Sequence, residues 1–137
     1  MKAYIAGPLC TEKDRKFVEK MSRLCESLRI KTFLPHRDCG LWKNIKDTKR
    51  IAEGDLNGFK DCNLVVASLN GFGVGTGTAW EMGYAYSKKL PIIAIKTDRK
   101  IEKSIEEISA IIMGTTKIVS NFKDLEREIK KIIKNKN

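Results

Sequence analysis

The sequence predicts an α/β fold in which a parallel sheet of about five strands lies between two layers of helices. Strand-like and helix-like segments alternate along the whole of its 137 residues. The runs at 64–69 and 91–95 are continuously apolar, as is typical of strands that are covered on both faces. Four glycines, from Gly71 to Gly77, follow the first of these runs, where a sheet of this kind binds its ligand.

Five strands are predicted, at residues 2–6, 31–35, 63–69, 91–96 and 117–119. Gly7 and Pro8 end the first strand, and Pro35 closes the second because proline lacks the N–H that a sheet interior requires. The segments follow one another without a linker, a repeat or a low-complexity stretch. Residues 1–137 are therefore expected to form one domain.

Five helices are predicted, at residues 12–29, 44–60, 77–89, 103–112 and 121–134. In the first and the last, apolar side chains recur at intervals of three and four residues, which predicts one buried face. Gly54 and Gly58 weaken the second helix by about 1 kcal/mol each relative to alanine. Residues 36–42 are predicted to be a polar loop, and residues 134–137 are expected to fray.

The formal net charge is +10, but the lysines are interspersed with acidic residues along the helices. No cluster of aromatic and basic residues stands out, so nucleic-acid binding is not expected, although a positive field would attract phosphorylated small molecules. No apolar run approaches the roughly 20 residues of a membrane helix. The chain opens on a strand rather than on the apolar core of a secretion signal. We therefore expect a cytoplasmic protein without a membrane partner.

The cysteines and the lone His36 do not form a metal-binding pattern. The cysteines are widely spaced, and none belongs to a Cys-x-x-Cys pair; they are Cys10, Cys25, Cys39 and Cys62. Reduced thiols are the default state in the cytoplasm. The sequence therefore predicts no structural zinc site.

Glycines and polar residues gather in the loops that follow the predicted strands, at 7–12, 36–43, 70–78 and 96–103. Ligands of such sheets bind beyond the carboxyl ends of the strands. The loop at 70–78 lacks the Gly-Lys-Ser/Thr of a P-loop, and it follows the third strand rather than the first strand, which a dinucleotide-binding motif would follow. No Gly-x-Ser-x-Gly nucleophile elbow occurs. These exclusions favour a site built on carboxylates.

Three side chains can reach the crevice beside the glycine loop: Glu81 in the following helix, Asp55 in the second helix and Tyr4 in the first strand. Two carboxylates and a phenol suit glycosidic-bond cleavage, in which one carboxylate attacks the anomeric carbon and the other handles protons. Simpler alternatives remain open. Glu81 could only stabilise the start of its helix through a charge–dipole contact. Asp55 could be a solvated residue on the surface of its helix, and Tyr4 could be a residue of the core.

Several motifs extend this pattern in sequence order. They are Tyr4-Ile5-Ala6-Gly7-Pro8, Leu34-Pro35-His36-Arg37-Asp38, Asp55-Leu56-Asn57-Gly58, Gly77-Thr78-Ala79-Trp80-Glu81-Met82-Gly83-Tyr84-Ala85 and Ile95-Lys96-Thr97-Asp98-Arg99. In these motifs the sequence resembles the nucleoside 2-deoxyribosyltransferase superfamily, which includes the 2'-deoxynucleoside 5'-monophosphate N-hydrolases. The resemblance covers most of residues 4–99.

The resemblance implies a flavodoxin-like fold and an enzyme without a metal ion or an organic cofactor. It implies that Glu81 is the nucleophile that forms a glycosyl-enzyme, that Tyr4 orients Glu81, and that Asp55 assists at the sugar or the departing base. The acceptor is a second nucleobase in the transferases and water in the hydrolases. Members form dimers or larger oligomers, often with a neighbour completing the site. Further substrate-binding residues are expected at Gly7, Pro8, His36, Arg37, Asp38, Gly75, Gly77 and Thr78.

Two departures from the family pattern leave the reaction open. Gly75 lies six residues before Glu81, where many of the transferases have an aspartate near the base. The loop at 8–13 lacks the arginine that the nucleotide hydrolases use to bind phosphate. We expect a transferase; the alternatives are a nucleoside monophosphate N-hydrolase and a non-catalytic nucleotide-binding module.

Overall fold

The computed structural model describes all of residues 1–137 and contains a five-stranded sheet. The strands are β1 (Lys2–Ala6), β2 (Lys31–Phe33), β3 (Leu64–Ser68), β4 (Ile92–Ile95) and β5 (Lys117–Val119). The α-helices are α1 (Glu12–Ser27), α2 (Pro35–Asp38), α3 (Thr48–Gly58), α4 (Thr76–Ser87), α5 (Ala110–Thr115) and α6 (Phe122–Lys136). All neighbouring strands are parallel, in the order β2-β1-β3-β4-β5, which confirms the predicted flavodoxin-like α/β fold.

The alternating side chains of the strands divide the core between the two faces of the sheet. On one face, Ile5 belongs to an apolar cluster that α1 and α6 cover. On the other face, Tyr4 packs with Phe59, which caps α3, and with Met82 of α4. Because both faces are covered, β3 and β4 are buried at every position.

The direction in which strands are added reverses between β1 and β3, since β2 lies on one side of β1 and β3 on the other. In such sheets the crevice beyond these two strand ends receives the ligand. Gly7 and Pro8 follow β1 there, and a Cβ on Gly7 would lie 2.7 Å from Val18 Cγ1 and 3.0 Å from Ser68 Cβ. Glycine is therefore required for α1 and β3 to approach the end of β1 this closely.

The N-terminus of α1 faces the same edge of the sheet and is closed by its own residues. The Asp14 N–H donates to Thr11 Oγ1 at 3.1 Å, and the Thr11 N–H donates to Asp14 Oδ2 at 3.0 Å. Glu12 is a second acidic residue in the first turn. A carboxylate thus occupies the helix start, where the free N–H groups of an uncapped helix would bind an anion.

The segment 36–42, predicted to be a loop, is partly helical, because Pro35–Asp38 form α2. Proline fits the first turn of a helix, where its missing N–H leaves no bond unmade. The side chain of Asp38 accepts a hydrogen bond from the Leu34 N–H at 2.8 Å and so closes the start of the turn. Pro35 and Asp38 therefore favour a helical turn, although the polar composition of the segment had indicated a loop.

The predicted helix at 103–112 is wrong over most of its length. Residues Ile101–Lys103 form a 3-10 turn, and the α-helix α5 begins only at Ala110. Between them, Ser104, Glu107 and Ile108 are buried. These side chains turn inward around the end of β4, and that local packing overrides the helical pattern.

The ends of two further helices differ from the prediction. The helix predicted at 44–60 starts as a 3-10 turn at Ile45–Asp47 before α3 begins. The residues expected to fray, 134–137, instead continue α6 as far as Lys136, and the basic side chains of its last turn suit the negative end of the helix dipole. None of the helices combines the length and the apolar character needed to cross a bilayer.

Candidate active site

Tyr4 lies in the middle of β1 and is completely buried. Its ring stacks against Phe33, with centroids 5.2 Å apart, and against Phe59, with centroids 3.8 Å apart. The negative charges of Glu81 and Asp55 act on its hydroxyl. Burial, followed by these two charges, raises the pKa of Tyr4 far above its ordinary value, so the phenol keeps its proton.

Glu81 lies in the second turn of α4, one turn later than a contact with the helix start would require. Its Oε2 atom is buried and has no hydrogen-bond partner. The pKa of Glu81 is raised to about 7, mainly by burial and to a smaller extent by the charge of Asp55. The Tyr4 hydroxyl is close enough to lower that pKa, although the contact lies outside ordinary hydrogen-bond geometry. Near neutral pH the carboxyl is therefore poised between its two protonation states.

Asp55 extends from α3 and is partly buried, and its Oδ1 atom is enclosed without a partner. Burial raises the pKa of Asp55, and the thiol of Cys39 offsets part of the effect. Cys39 lies against the backbone of α3 at Gly54, where a Cβ would overlap its sulfur. The sequence carries no signal for this role of Cys39, because the contact exists only once α2 packs on α3.

Tyr4, Asp55 and Glu81 supply three of the five buried side-chain polar atoms that lack a hydrogen-bond partner. Buried polar groups are nearly always paired in folded proteins, so such a concentration is typical of a site where a ligand completes the bonding. The structure thus brings together two carboxyls with raised pKa values and a protonated phenol. These groups are suited to nucleophilic and acid–base chemistry.

The three polar residues of α2 are His36, Arg37 and Asp38, and most of their polar atoms already have partners. His36 Nε2 lies 2.9 Å from Glu19 Oε1 in α1, whereas its Nδ1 is buried without a partner. Arg37 donates to Asp38 Oδ1 at 2.9 Å and to Glu26 Oε1 at 3.1 Å. Arg37 therefore attaches α2 to α1 through Glu26, as His36 does through Glu19, and His36 alone keeps an open nitrogen.

The start of α4 contains Gly75, Gly77 and Thr78. Gly75 is the N-cap, with φ −56° and ψ 143°, and no side chain caps this helix. Gly77 is exposed, whereas Thr78 is buried. In contrast to α1, the first turn of α4 has no acidic residue, so its N–H groups remain available to a ligand.

Two further features bear on the chemistry of the site. No group of three or more His, Cys, Asp or Glu side chains is arranged to hold a metal ion. At the end of β4, Lys96 is buried between the carboxylates of Asp98 and Glu107, an arrangement that the sequence analysis missed. A lysine that follows an apolar strand looks like an exposed strand end, and nothing nearby in the sequence marks Glu107 as its partner.

Comparisons with known proteins agree with this fold. The family model described as Nucleoside 2-deoxyribosyltransferase matches residues 3–125. A search of curated proteins finds no match. A conserved protein from Enterococcus faecalis V583 has 28% identity and a TM-score of 0.72, over 96% of this chain and 98% of its own. The 2-deoxyribosyltransferase of Bacillus psychrosaccharolyticus has 22% identity and a TM-score of 0.74, over 92% and 90% of the two chains. The CMP N-glycosidase of Clostridium botulinum has 16% identity and a TM-score of 0.63, over 95% and 99%.

Proposed function

The chain belongs to the nucleoside 2-deoxyribosyltransferase family, and on that premise we propose that it cleaves the N-glycosidic bond of a 2'-deoxynucleoside and transfers the sugar to a second nucleobase. The observation that carries the proposal is the cluster of buried, unpaired polar atoms on Tyr4, Asp55 and Glu81. These residue types supply a nucleophile, a proton-transferring group and an orienting donor.

In the first step, the ionised Glu81 attacks the anomeric carbon of the sugar. A bond forms between a carboxylate oxygen and that carbon, the bond from the carbon to the base nitrogen breaks, and its electron pair leaves with the base. Asp55, whose pKa is raised by burial, is the group best suited to give the departing base a proton. The products are a free base and a glycosyl ester of Glu81.

In the second step, an acceptor nucleobase attacks the same carbon and the ester bond to Glu81 breaks. The electron pair returns to the carboxylate, and the proton of the acceptor goes to Asp55, so both groups regain their starting states. Tyr4 keeps its proton and favours the ionised form of Glu81. We therefore assign Tyr4 an orienting role rather than a reacting one.

The substrate is proposed to bind in the crevice beyond β1 and β3. The backbone can approach the sugar and base closely at the glycines that border it. The proposed binding residues there are Gly7, Pro8, Gly75, Gly77 and Thr78. His36 is proposed to bond to the substrate through its open Nδ1, with Arg37 and Asp38 holding α2 in position.

A nucleoside without a 5'-phosphate is the better substrate on electrostatic grounds. The start of α1 is occupied by the carboxylate of Asp14, which repels an anion. Arg15 donates to backbone carbonyl oxygens, and Lys16 pairs with Glu12 at 3.0 Å. Lys13 is then the one cation of this first turn whose side chain has neither a hydrogen-bond nor an ion-pair partner.

Hydrolysis is the second candidate, and Gly75 is the observation that favours it. With no carboxylate at this position, an acceptor base has one polar contact fewer, and water competes for the glycosyl ester. The CMP N-glycosidase of Clostridium botulinum has the same fold. A non-catalytic nucleotide-binding module is the third alternative, and the presence together of Tyr4, Asp55 and Glu81 argues against it.

The protein is further proposed to be a homo-oligomer whose interface covers the side of α3 and α4. Apart from Met1, all of the exposed large apolar side chains lie on this side or on the loops beside it: Trp42, Ile45, Leu56, Phe72, Trp80, Tyr86, Ile105 and Ile111. Such a concentration is typical of a protein–protein contact, and a second copy would also exclude water from the carboxylates. A cytoplasmic location is proposed as well, supported by four free cysteines.

A product assay tests the proposal. Each deoxynucleoside and each deoxynucleoside monophosphate is incubated with the protein, with and without a second free base, and the bases and nucleosides are separated by chromatography. Exchange of one base for another is the expected result, with the nucleosides preferred over the monophosphates. Base release without exchange would identify a hydrolase, and the absence of both would refute the enzymatic proposal.

A further inference from the structure

Lys96 is the most deeply buried charged residue outside the proposed catalytic cluster. Its side chain is completely enclosed at the end of β4, and its ammonium lies 3.0 Å from Asp98 Oδ1 and 3.0 Å from Glu107 Oε2. Glu107 is also enclosed and pairs with Arg99 as well. Taking an ammonium out of water is strongly unfavourable unless it is paired and hydrogen-bonded, so this arrangement fixes the side chains that surround it.

The same ammonium reaches the base of the glycine loop. It donates to the backbone oxygens of Leu69 at 3.1 Å and Gly71 at 3.2 Å. The Gly71 N–H in turn donates to Asp98 Oδ2 at 2.7 Å. Hydrogen bonding from Gly71 and Lys96 outweighs the burial of Asp98 and lowers the pKa of that carboxyl, which keeps it charged. Lys96 and Asp98 thus hold the loop by its peptide groups.

A second pair of bonds strengthens this attachment. The Asn70 side chain donates to Thr97 Oγ1 at 2.9 Å and accepts from the Thr97 N–H at 2.8 Å. Beyond this point the loop is held by much less: Gly71 and Gly73 have positive φ angles of 103° and 76°, and Phe72 between them is 85% exposed. No side chain forms a hydrogen bond with residues 72–75. The base of the loop, residues 69–71, is therefore held by side-chain hydrogen bonds, whereas its tip, residues 72–75, is not.

The glycine loop connects β3 to α4, and its first residues, 69–71, are the ones that hydrogen bonds hold in place. Gly75, the N-cap, provides no side chain to fix the helix start, so the position of the first turn depends on the preceding residues. We propose that Lys96 is a positioning residue, which is itself fixed by Glu107 and, together with Asp98, holds the base of the glycine loop in the conformation that receives the substrate. This inference rests on the proposed function for the identity of the substrate, but the attachment of the loop does not depend on it.

The test compares three variants in the full-length protein. Lys96→Met keeps the apolar stem of the side chain, one atom shorter, and removes the ammonium. Asp98→Ala removes the bond to Gly71 and one partner of Lys96. Because Asp98 is partly exposed, this variant is expected to fold even if Lys96→Met does not. Arg99→Gln is the matched control, because Arg99 pairs with the same Glu107 but does not contact the loop.

The first readout is amide hydrogen exchange in the substrate-free protein. Exchange of the hydrogen-bonded amides at the base of the loop, residues 69–71, is expected to accelerate about tenfold or more in Lys96→Met and Asp98→Ala, and to remain unchanged in Arg99→Gln. The peptide that covers α1 serves as the internal reference. Unchanged exchange of the loop in the variants that fold overturns the proposal, whatever the enzymatic assay gives.

The second readout is the division of the kinetic effect between KM and kcat. A loop that is competent for only a fraction of the time weakens apparent binding, so KM is expected to rise about tenfold while kcat changes by less than about threefold. A purely structural role would lower thermal stability and leave KM unchanged, and that result also overturns the proposal. A wild-type protein that turns over no nucleoside refutes the proposed function, and the exchange data still decide the role of Lys96.

Discussion

Replacing Tyr4 with phenylalanine isolates the effect of one hydroxyl on Glu81. The ring of Tyr4 contacts Phe33 and Phe59 at centroid distances of 5.2 and 3.8 Å, and phenylalanine preserves both contacts. The hydroxyl is buried without a hydrogen-bond partner of ordinary geometry. Its removal is therefore expected to change the free energy of unfolding by less than about 1 kcal/mol. Tyr4→Ala, which removes the ring as well, is expected to cost about 3–5 kcal/mol.

The expected effect on activity follows from the pKa of Glu81. Burial raises that pKa to about 7 and the Tyr4 hydroxyl lowers it, so Tyr4→Phe raises it further. A hydrogen bond of about 1 kcal/mol corresponds to somewhat less than one pKa unit. At pH 7, the ionised fraction of Glu81 then falls from about one half to about one sixth, which is an about threefold loss of rate from ionisation alone.

The assay is kcat/KM for base exchange, measured from about pH 5 to pH 9. The pH profile of the wild type is expected to show a titration near pH 7 that belongs to Glu81, and the same titration in Tyr4→Phe is expected to lie at higher pH. Thermal melts confirm that both proteins are folded. A displaced titration together with an unchanged melting temperature supports the reasoning, whereas an unchanged pH profile refutes the assigned role of Tyr4.

Three further changes test separate parts of the site. Glu81→Gln is expected to abolish turnover and to stabilise the fold at high pH. Folding raises the pKa of Glu81 from 4.5 to about 7. The free energy of unfolding of the wild type therefore falls, by up to about 3 kcal/mol, as the pH rises from 4.5 through 7. Denaturant titrations at about pH 5 and pH 8 measure this effect. It is contradicted if the free energies of unfolding of the variant and the wild type differ by the same amount at the two pH values. Gly75→Asp is expected to raise the ratio of transfer to hydrolysis; its Cβ would meet only Thr78 Oγ1, at 3.7 Å, so it folds, and an unchanged product ratio excludes Gly75 as the cause of hydrolysis. Trp80→Glu is expected to convert the proposed oligomer to monomers in sedimentation equilibrium, because Trp80 is 59% exposed on the apolar side, and Lys130→Glu on α6 is the control that leaves assembly unchanged.

The fold could be predicted because its pattern is repeated in the sequence. The central strands β3 and β4 are short apolar runs, and because both faces of the sheet are covered they show no polar alternation. The glycine run then indicated the loop that follows β3. These signals are local. They are sufficient to predict the order of the helices and strands and the strand ends at which the site forms.

What the sequence did not reveal depends on contacts between distant segments. Lys96 and Glu107 are 11 residues apart with irregular chain between them, and only the folded structure shows that Glu107 turns inward. Cys39 meets Asp55 only because α2 packs on α3. For His36, Arg37 and Asp38, the sequence indicated a polar cluster but not that Arg37 and Asp38 bond to each other or that Arg37 also pairs with Glu26 of α1.

The burial of Glu81 also makes ligand binding a proton-exchange reaction. Near pH 7 the carboxyl holds a proton in about half of the molecules, because its pKa is about 7. A ligand that binds only the ionised form must expel that proton, so binding is expected to release about half a proton per site at this pH. The apparent binding enthalpy then varies with the ionisation enthalpy of the buffer, and calorimetry in two buffers counts the protons directly. Acidification of the surroundings would thus weaken binding of the ligand without any change in the shape of the crevice.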